Sequence, residues 1–192
     1  MIIARKKEKE NIVEYLIYMW QVEDLIRACR FDMDVIEAQI LTKYDQPEHV
    51  LEEIRQWFRD IIDMMRKEGI QEKGHLLQNE QIVAELNEVH ERLVQSADES
   101  AYRTLYYKVL PAIVQLRARS GDNPTSEVET CLTSIYGYVL LKLQGKDVSV
   151  ETTESVKEMG RLLGALAGVF NKIDHFSTYQ LAKSEKMRTF AG

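Results

Sequence analysis

Apolar positions recur at helical spacing from one end of this chain to the other. Val50, Ile54, Trp57, Phe58, Ile61 and Met65 form one stripe, with Glu52, Gln56, Arg59, Asp63 and Arg66 opposite, the division that a helix with one buried face requires. No window shows the apolar/polar alternation between turn residues that marks a strand. The pattern predicts an all-α bundle of about seven helices. They span roughly Lys6 to Cys29, Asp34 to Lys43, Pro47 to Glu68, Leu76 to Gln95, Asp98 to the loop at Ser120, Ser126 to Gln144, and Glu151 to Asp174.

The breaks between these segments follow local chemistry. Gly69 followed by Ile70 is the arrangement in which a helix exits through a left-handed residue and the next apolar side chain packs back on the last turn. Ser126 and Glu129 have capping-box spacing. Pro111 falls inside the fifth helix, where its missing N–H and its ring should kink it. "SGDNPT", Ser120 to Thr125, is the strongest loop and the place for an inner boundary, if one exists. No linker is long enough to demand two domains, so a single domain is expected over 1–175. The weakly periodic tail, 176–192, is expected to be frayed or disordered.

Two features depart from a plain bundle. In "YLIYMWQVEDLIRAC", Tyr15 to Cys29, steps of about 100° per residue place Glu23 and Arg27 on the stripe of Ile12, Leu16, Met19 and Trp20, while Asp24 falls on a polar edge. Glu23 and Arg27 are four apart in the favourable order and can pair; such a buried pair penalises any packing that leaves one charge alone. The sharper alternative is a polar pocket for a small anionic or polar ligand, to which His90, between Leu86 and Leu93, and Lys142 contribute. Against it, a core histidine is commonly just hydrogen-bonded, and a lysine near a helix end can snorkel outward.

The second departure is "GRLLGALAGVF", where Gly160, Gly164 and Gly168 lie four apart. Three helix-interior glycines cost roughly 3 kcal/mol relative to alanine, and a close helix crossing would offset that through dispersion contacts. The partner would be the over-apolar sixth helix or a second subunit, by the physics of small-residue crossings.

Composition narrows the classes. A chain of 192 residues buries about 70% of its unfolded surface and needs no staples. The net charge of −6 argues against a nucleic-acid binder, and the basic run Arg5 to Lys9 reads as a solvated helical turn. The longest apolar segment, Leu162 to Phe170, is half of what a membrane span requires, and Met1 to Ala4 is too short for a signal-peptide core. Cys29 and Cys131 sit in apolar runs without CxxC or a nearby histidine, which suits buried thiols in a reducing cytoplasm. The one Glu-x-x-His spacing, Glu72 to His75, spans Gly74 in a loop, and no HExxH or Cys/His zinc spacing occurs. The carboxylates Glu52, Glu53, Asp60 and Asp63 belong mostly to a solvated face. Without a phosphate loop, nucleophile elbow or dinucleotide fingerprint, no metal, cofactor or catalytic residue is expected.

"EYLIYMWQVEDLIRAC", Glu14 to Cys29, resembles an uncharacterised family of bacterial all-helical proteins of about this length, a domain of unknown function. The resemblance implies a bacterial, cytoplasmic helical protein and carries over no catalytic residue. The function expected is non-enzymatic, through protein–protein binding or self-association. The alternative is a small-molecule-binding bundle, or an enzyme, with its pocket around Glu23, Arg27 and His90.

Overall fold

The computed structural model describes residues 2–119 and 125–173. Among them are eight α-helices and no strand: α1 (Ile2–Glu10), α2 (Ile12–Ala28), α3 (Met33–Gln39), α4 (Glu48–Lys67), α5 (Leu77–Gln95), α6 (Ser100–Arg119), α7 (Glu127–Leu143) and α8 (Val150–Phe170). A short 3-10 turn, Leu41–Lys43, follows α3. The loop expected at 120–125 lies outside the described residues except for Thr125, and the expected tail, 176–192, lies outside them entirely.

The first expected helix is two. Asn11 interrupts it, and its side-chain oxygen accepts the Val13 N–H at 3.1 Å, a local bond that competes with the helix ladder and opens a new first turn. The second expected helix also ends early, because Ile40 leaves the helical region and the chain tightens into the 3-10 turn. Asp32 caps α3 by accepting the N–H groups of Asp34 and Val35.

Other boundaries follow the expected chemistry. At the end of α4, Gly69 has φ +72°, and the Ile70 N–H reaches the Met65 carbonyl at 3.0 Å. Gly145 ends α7 the same way, with φ +68° and the Lys146 N–H on the Leu141 carbonyl at 2.9 Å. Ser126 and Ser149 accept the N–H groups of Glu129 and Thr152 at the starts of α7 and α8. Helix α6 runs uninterrupted through Pro111. The proline leaves the Tyr107 carbonyl without its ladder partner, and Tyr107 is 60% exposed, so water can take its place.

Contacts cluster into two compact units, Met1–Lys9 with Glu14–Ile82 and Glu10–Val13 with Val83–Gly192. In the first, the α4 stripe supplies the buried Ile54, Phe58, Ile61, Ile62 and Met65, and α3 packs on α4. In the second, α6, α7 and α8 pack on one another, with Val109, Ile113, Cys131, Leu132, Leu163 and Leu166 in the core. No helix among the described residues is long and apolar enough to cross a membrane.

Candidate functional site

Glu23 is fully buried and does not pair with Arg27. Its Oε2 lies 2.6 Å from His75 Nδ1, and its Oε1 accepts the Leu76 N–H at 3.2 Å and the Asn79 side-chain amide at 2.7 Å. A carboxylate only accepts, so His75 Nδ1 carries the proton of that bond. The imidazole also stacks on Trp20, with ring centroids 4.1 Å apart, while its side chain stays about one-third exposed.

These bonds explain why an acid belongs in α2. Helix α5 opens with two leucines, neither of which can cap it. Leu76 occupies the N-cap position, its carbonyl accepting from Glu80, while its own N–H goes to Glu23. The Leu77 N–H goes to Glu68 Oε2 at 2.7 Å. Two remote glutamates thus take two of the N–H groups that the opening of a helix leaves without an intrahelical partner, and their charge suits the positive end of the helix.

Arg27 works on the same loop with the opposite sign. Its Nη1 binds Asp24 at 2.8 Å, its Nη2 donates to the Ile70 carbonyl at 3.1 Å, and it also donates to the Gly74 carbonyl. The planar guanidinium suits several acceptors at once. One turn of α2 therefore meets the α4–α5 loop with an acceptor for the Leu76 N–H and a donor for the Ile70 and Gly74 carbonyls. Beside this centre, the buried Asn79 Oδ1 has no hydrogen-bond partner.

His90 belongs to a different network. It is buried, with Nδ1 2.7 Å from Tyr102 Oη and Nε2 3.0 Å from Glu127 Oε2. Tyr106 Oη donates to Glu127 Oε1 at 3.3 Å, and Arg117 lies 3.9 Å from the same carboxylate. Burial, then the neighbouring Cys131 and Glu127, raises the Tyr102 phenol well above its ordinary value, which keeps it a proton donor. Glu127 requires N–H at Nε2, so Nδ1 accepts from Tyr102 and a neutral imidazole satisfies every member. Cys131 is buried beside this network, its thiol pushed up to about 12 by burial and by Glu127.

The partners of Glu23 and Arg27 thus come from the first unit, and those of His90 from the second. Lys142 is exposed, its ammonium 5.6 Å from the centre of the Tyr138 ring. Gly160, Gly164 and Gly168 correct the expected intramolecular crossing: all three are exposed, and a Cβ added at any of them would meet nothing within 4 Å. Among the described residues no group of three or more His, Cys, Asp or Glu side chains is placed to hold a metal ion.

One surface escaped the sequence reading. Ser100, Thr104, Tyr107, Pro111, Val114 and Ala118 run along α6 with alternating spacings of four and three, and all are exposed. Tyr107 is 60% and Val114 57% exposed. The spacing is that of a coiled-coil seam, and none of its members is charged. The buried stripe of α6, Tyr102, Val109 and Ile113, dominates its apolar pattern, and the 4-3 spacing is the sequence signal that marks the outer strip.

The model of a family described as Domain of unknown function (DUF4924) matches residues 1–175. The chain belongs to that family. The match to DUF4924 runs through both polar networks and the α6 seam. No curated protein and no solved structure matches the chain.

Proposed function

We propose that this DUF4924 chain works by binding protein, through the exposed seam of α6, as a bacterial cytoplasmic module. The observation that carries the proposal is an uncharged exposed strip five turns long on a chain in which 29% of residues are charged. Scattered exposed apolar groups are ordinary, but an uncharged register along one helix, with Tyr107, Pro111, Val114 and Ala118 in succession, is a feature of interaction surfaces. The buried unpaired thiols Cys29 and Cys131 suit a reducing compartment.

The test is a photo-crosslinking amino acid introduced at Tyr107 in native host cells, with the exposed Lys157 of α8 as the control site. A discrete adduct from position 107 and none from 157 is expected. Equal yields at both sites, or no adduct, would count against the seam.

A second reading has one observation behind it. Asn79 Oδ1, buried and without a donor beside Glu23 and the one-third-exposed His75, suits a small molecule bearing a hydroxyl or amine. Glu23→Gln separates this from a purely structural role: it would then weaken ligand binding as well as stability.

A further inference from the structure

Helix α6 alone among the described helices contains no Asp or Glu, although the chain as a whole has a net charge of −6. Its cations are Arg103, Lys108, Arg117 and Arg119, and at about 100° per residue Arg103 and Arg117 fall on one side of the exposed seam, Lys108 and Arg119 on the other. Lys108 is 3.0 Å from Glu158 and Arg117 3.9 Å from Glu127. Arg103 donates to the Ala97 carbonyl, and neither it nor Arg119 meets a carboxylate among the described residues. An uncharged seam edged by cations on both sides is complementary to a helix with an apolar stripe edged by carboxylates.

The same edges argue against a second copy as the occupant. Antiparallel pairing along the seam sets Ser100 opposite Ala118, Thr104 opposite Val114 and Tyr107 opposite Pro111, which brings the Lys108 residues of the two copies together and Arg103 near Arg117. Parallel pairing brings Arg103 near Lys108. Both registers juxtapose like charges. The chain's own segment 174–192 is no better matched, since Lys183, Lys186 and Arg188 outnumber Asp174 and Glu185.

Resting on the protein-binding proposal above, we infer that the occupant of the α6 seam is an acidic amphipathic helix of another protein. The contact is small. Twenty residues of helix span about 30 Å, and a strip about 10 Å wide covers on the order of 300 Å² per partner, below the roughly 800 Å² of a standard interface. The complex is accordingly reversible and salt-sensitive.

The experiment uses the full chain and two labelled helical peptides. Both carry leucines at alternating four- and three-residue spacing; one has glutamates at both edges, the other lysines. Anisotropy titration should show the glutamate peptide binding at least ~10-fold more tightly, with the preference fading as salt rises. In the doubly substituted R103E/R119E chain, with Arg119 exposed and Arg103 half-buried, the preference should reverse.

Equal affinity, tighter binding of the lysine peptide or of a 20-base-pair DNA duplex, or no change in R103E/R119E would overturn the acidic helix. So would a wild-type dimer in light scattering that Val114→Lys abolishes. If position 107 crosslinks another protein while the two peptides bind alike, this inference alone falls. If position 107 crosslinks nothing, the reading beneath it falls as well.

Discussion

Glu23 shows how one side chain can carry the geometry of a loop. Its carboxylate has three donors and no exposure, so removing it strands the buried Leu76 N–H and the Asn79 amide, each worth about 1–3 kcal/mol when unsatisfied. Glu23→Ala should therefore destabilise the chain by about 3–5 kcal/mol. Glu23→Gln keeps an oxygen for the Leu76 N–H, and His75 can shift its proton to accept from the new amide, so a loss of about 1–2 kcal/mol is expected. Urea unfolding of the two variants checks the order; equal losses would mean that the charge, and not the shape and count of acceptors, holds the loop. That this acid and Arg27 both belong inside was legible in Tyr15 to Cys29. The loop partners were not, because those of Glu23 lie 52 to 56 residues further along and those of Arg27 43 and 47, and periodicity within one helix carries no information about another segment.

At the level of elements, glycine separates into two kinds. Gly69 is left-handed at φ +72°, and alanine there should cost about 1–2 kcal/mol. Gly164 is an exposed helix-interior residue with nothing within 4 Å of an added Cβ, and alanine there should stabilise by up to about 1 kcal/mol. Opposite shifts of the urea midpoint are expected, and a loss of stability in Gly164→Ala would reveal a contact of the smooth face. Gly69 was legible in sequence because a terminating glycine followed by an apolar residue has a local cause. The stripe Gly160, Gly164 and Gly168 marks no crossing with another described helix, since spacing shows that residues share a face and says nothing of what covers it. Asn11 was missed for a related reason: its cap is a local side-chain bond to the Val13 N–H within an otherwise continuous helical pattern. The consecutive left-handed residues Arg30 and Phe31, φ 55° and 60°, leave no mark in composition at all.

For the molecule as a whole, several buried acids keep their protons in the folded state. Cys131 rises from an ordinary 9.0 to about 12 and Tyr18 from 10.0 to about 12, both chiefly through burial. Below about pH 9 folded and unfolded chains both hold the Cys131 proton. Above it the unfolded chain loses that proton while the folded chain retains it, so stability falls as pH rises, by up to about 1.4 kcal/mol per pH unit for one group. Tyr18 and Tyr102 add to the fall above pH 10. Urea unfolding between pH 8 and 10 should show this decline, and Cys131→Ala should make it shallower; an unchanged slope would mean that the thiol ionises as readily inside as outside. The all-helical class was legible because apolar positions recur at helical spacing along the chain, with no stretch of the alternation that marks a strand. The division into two contact units was not, since no composition shift marks position 82.

The dependence of α5 on glutamates 9 and 53 residues earlier than the amides they receive also bears on how the chain reaches this state. A helix whose first turn is capped by its own residues can nucleate alone, whereas this one completes its opening turn only after a loop of more than fifty residues has closed, at an entropic expense that grows with the logarithm of its length. The start of α5 is therefore expected to form late in assembly, which slowed folding with unchanged unfolding in a Glu23 variant would contradict. It couples the register of one helix to the arrival of another, much as a keystone waits for both sides of its arch.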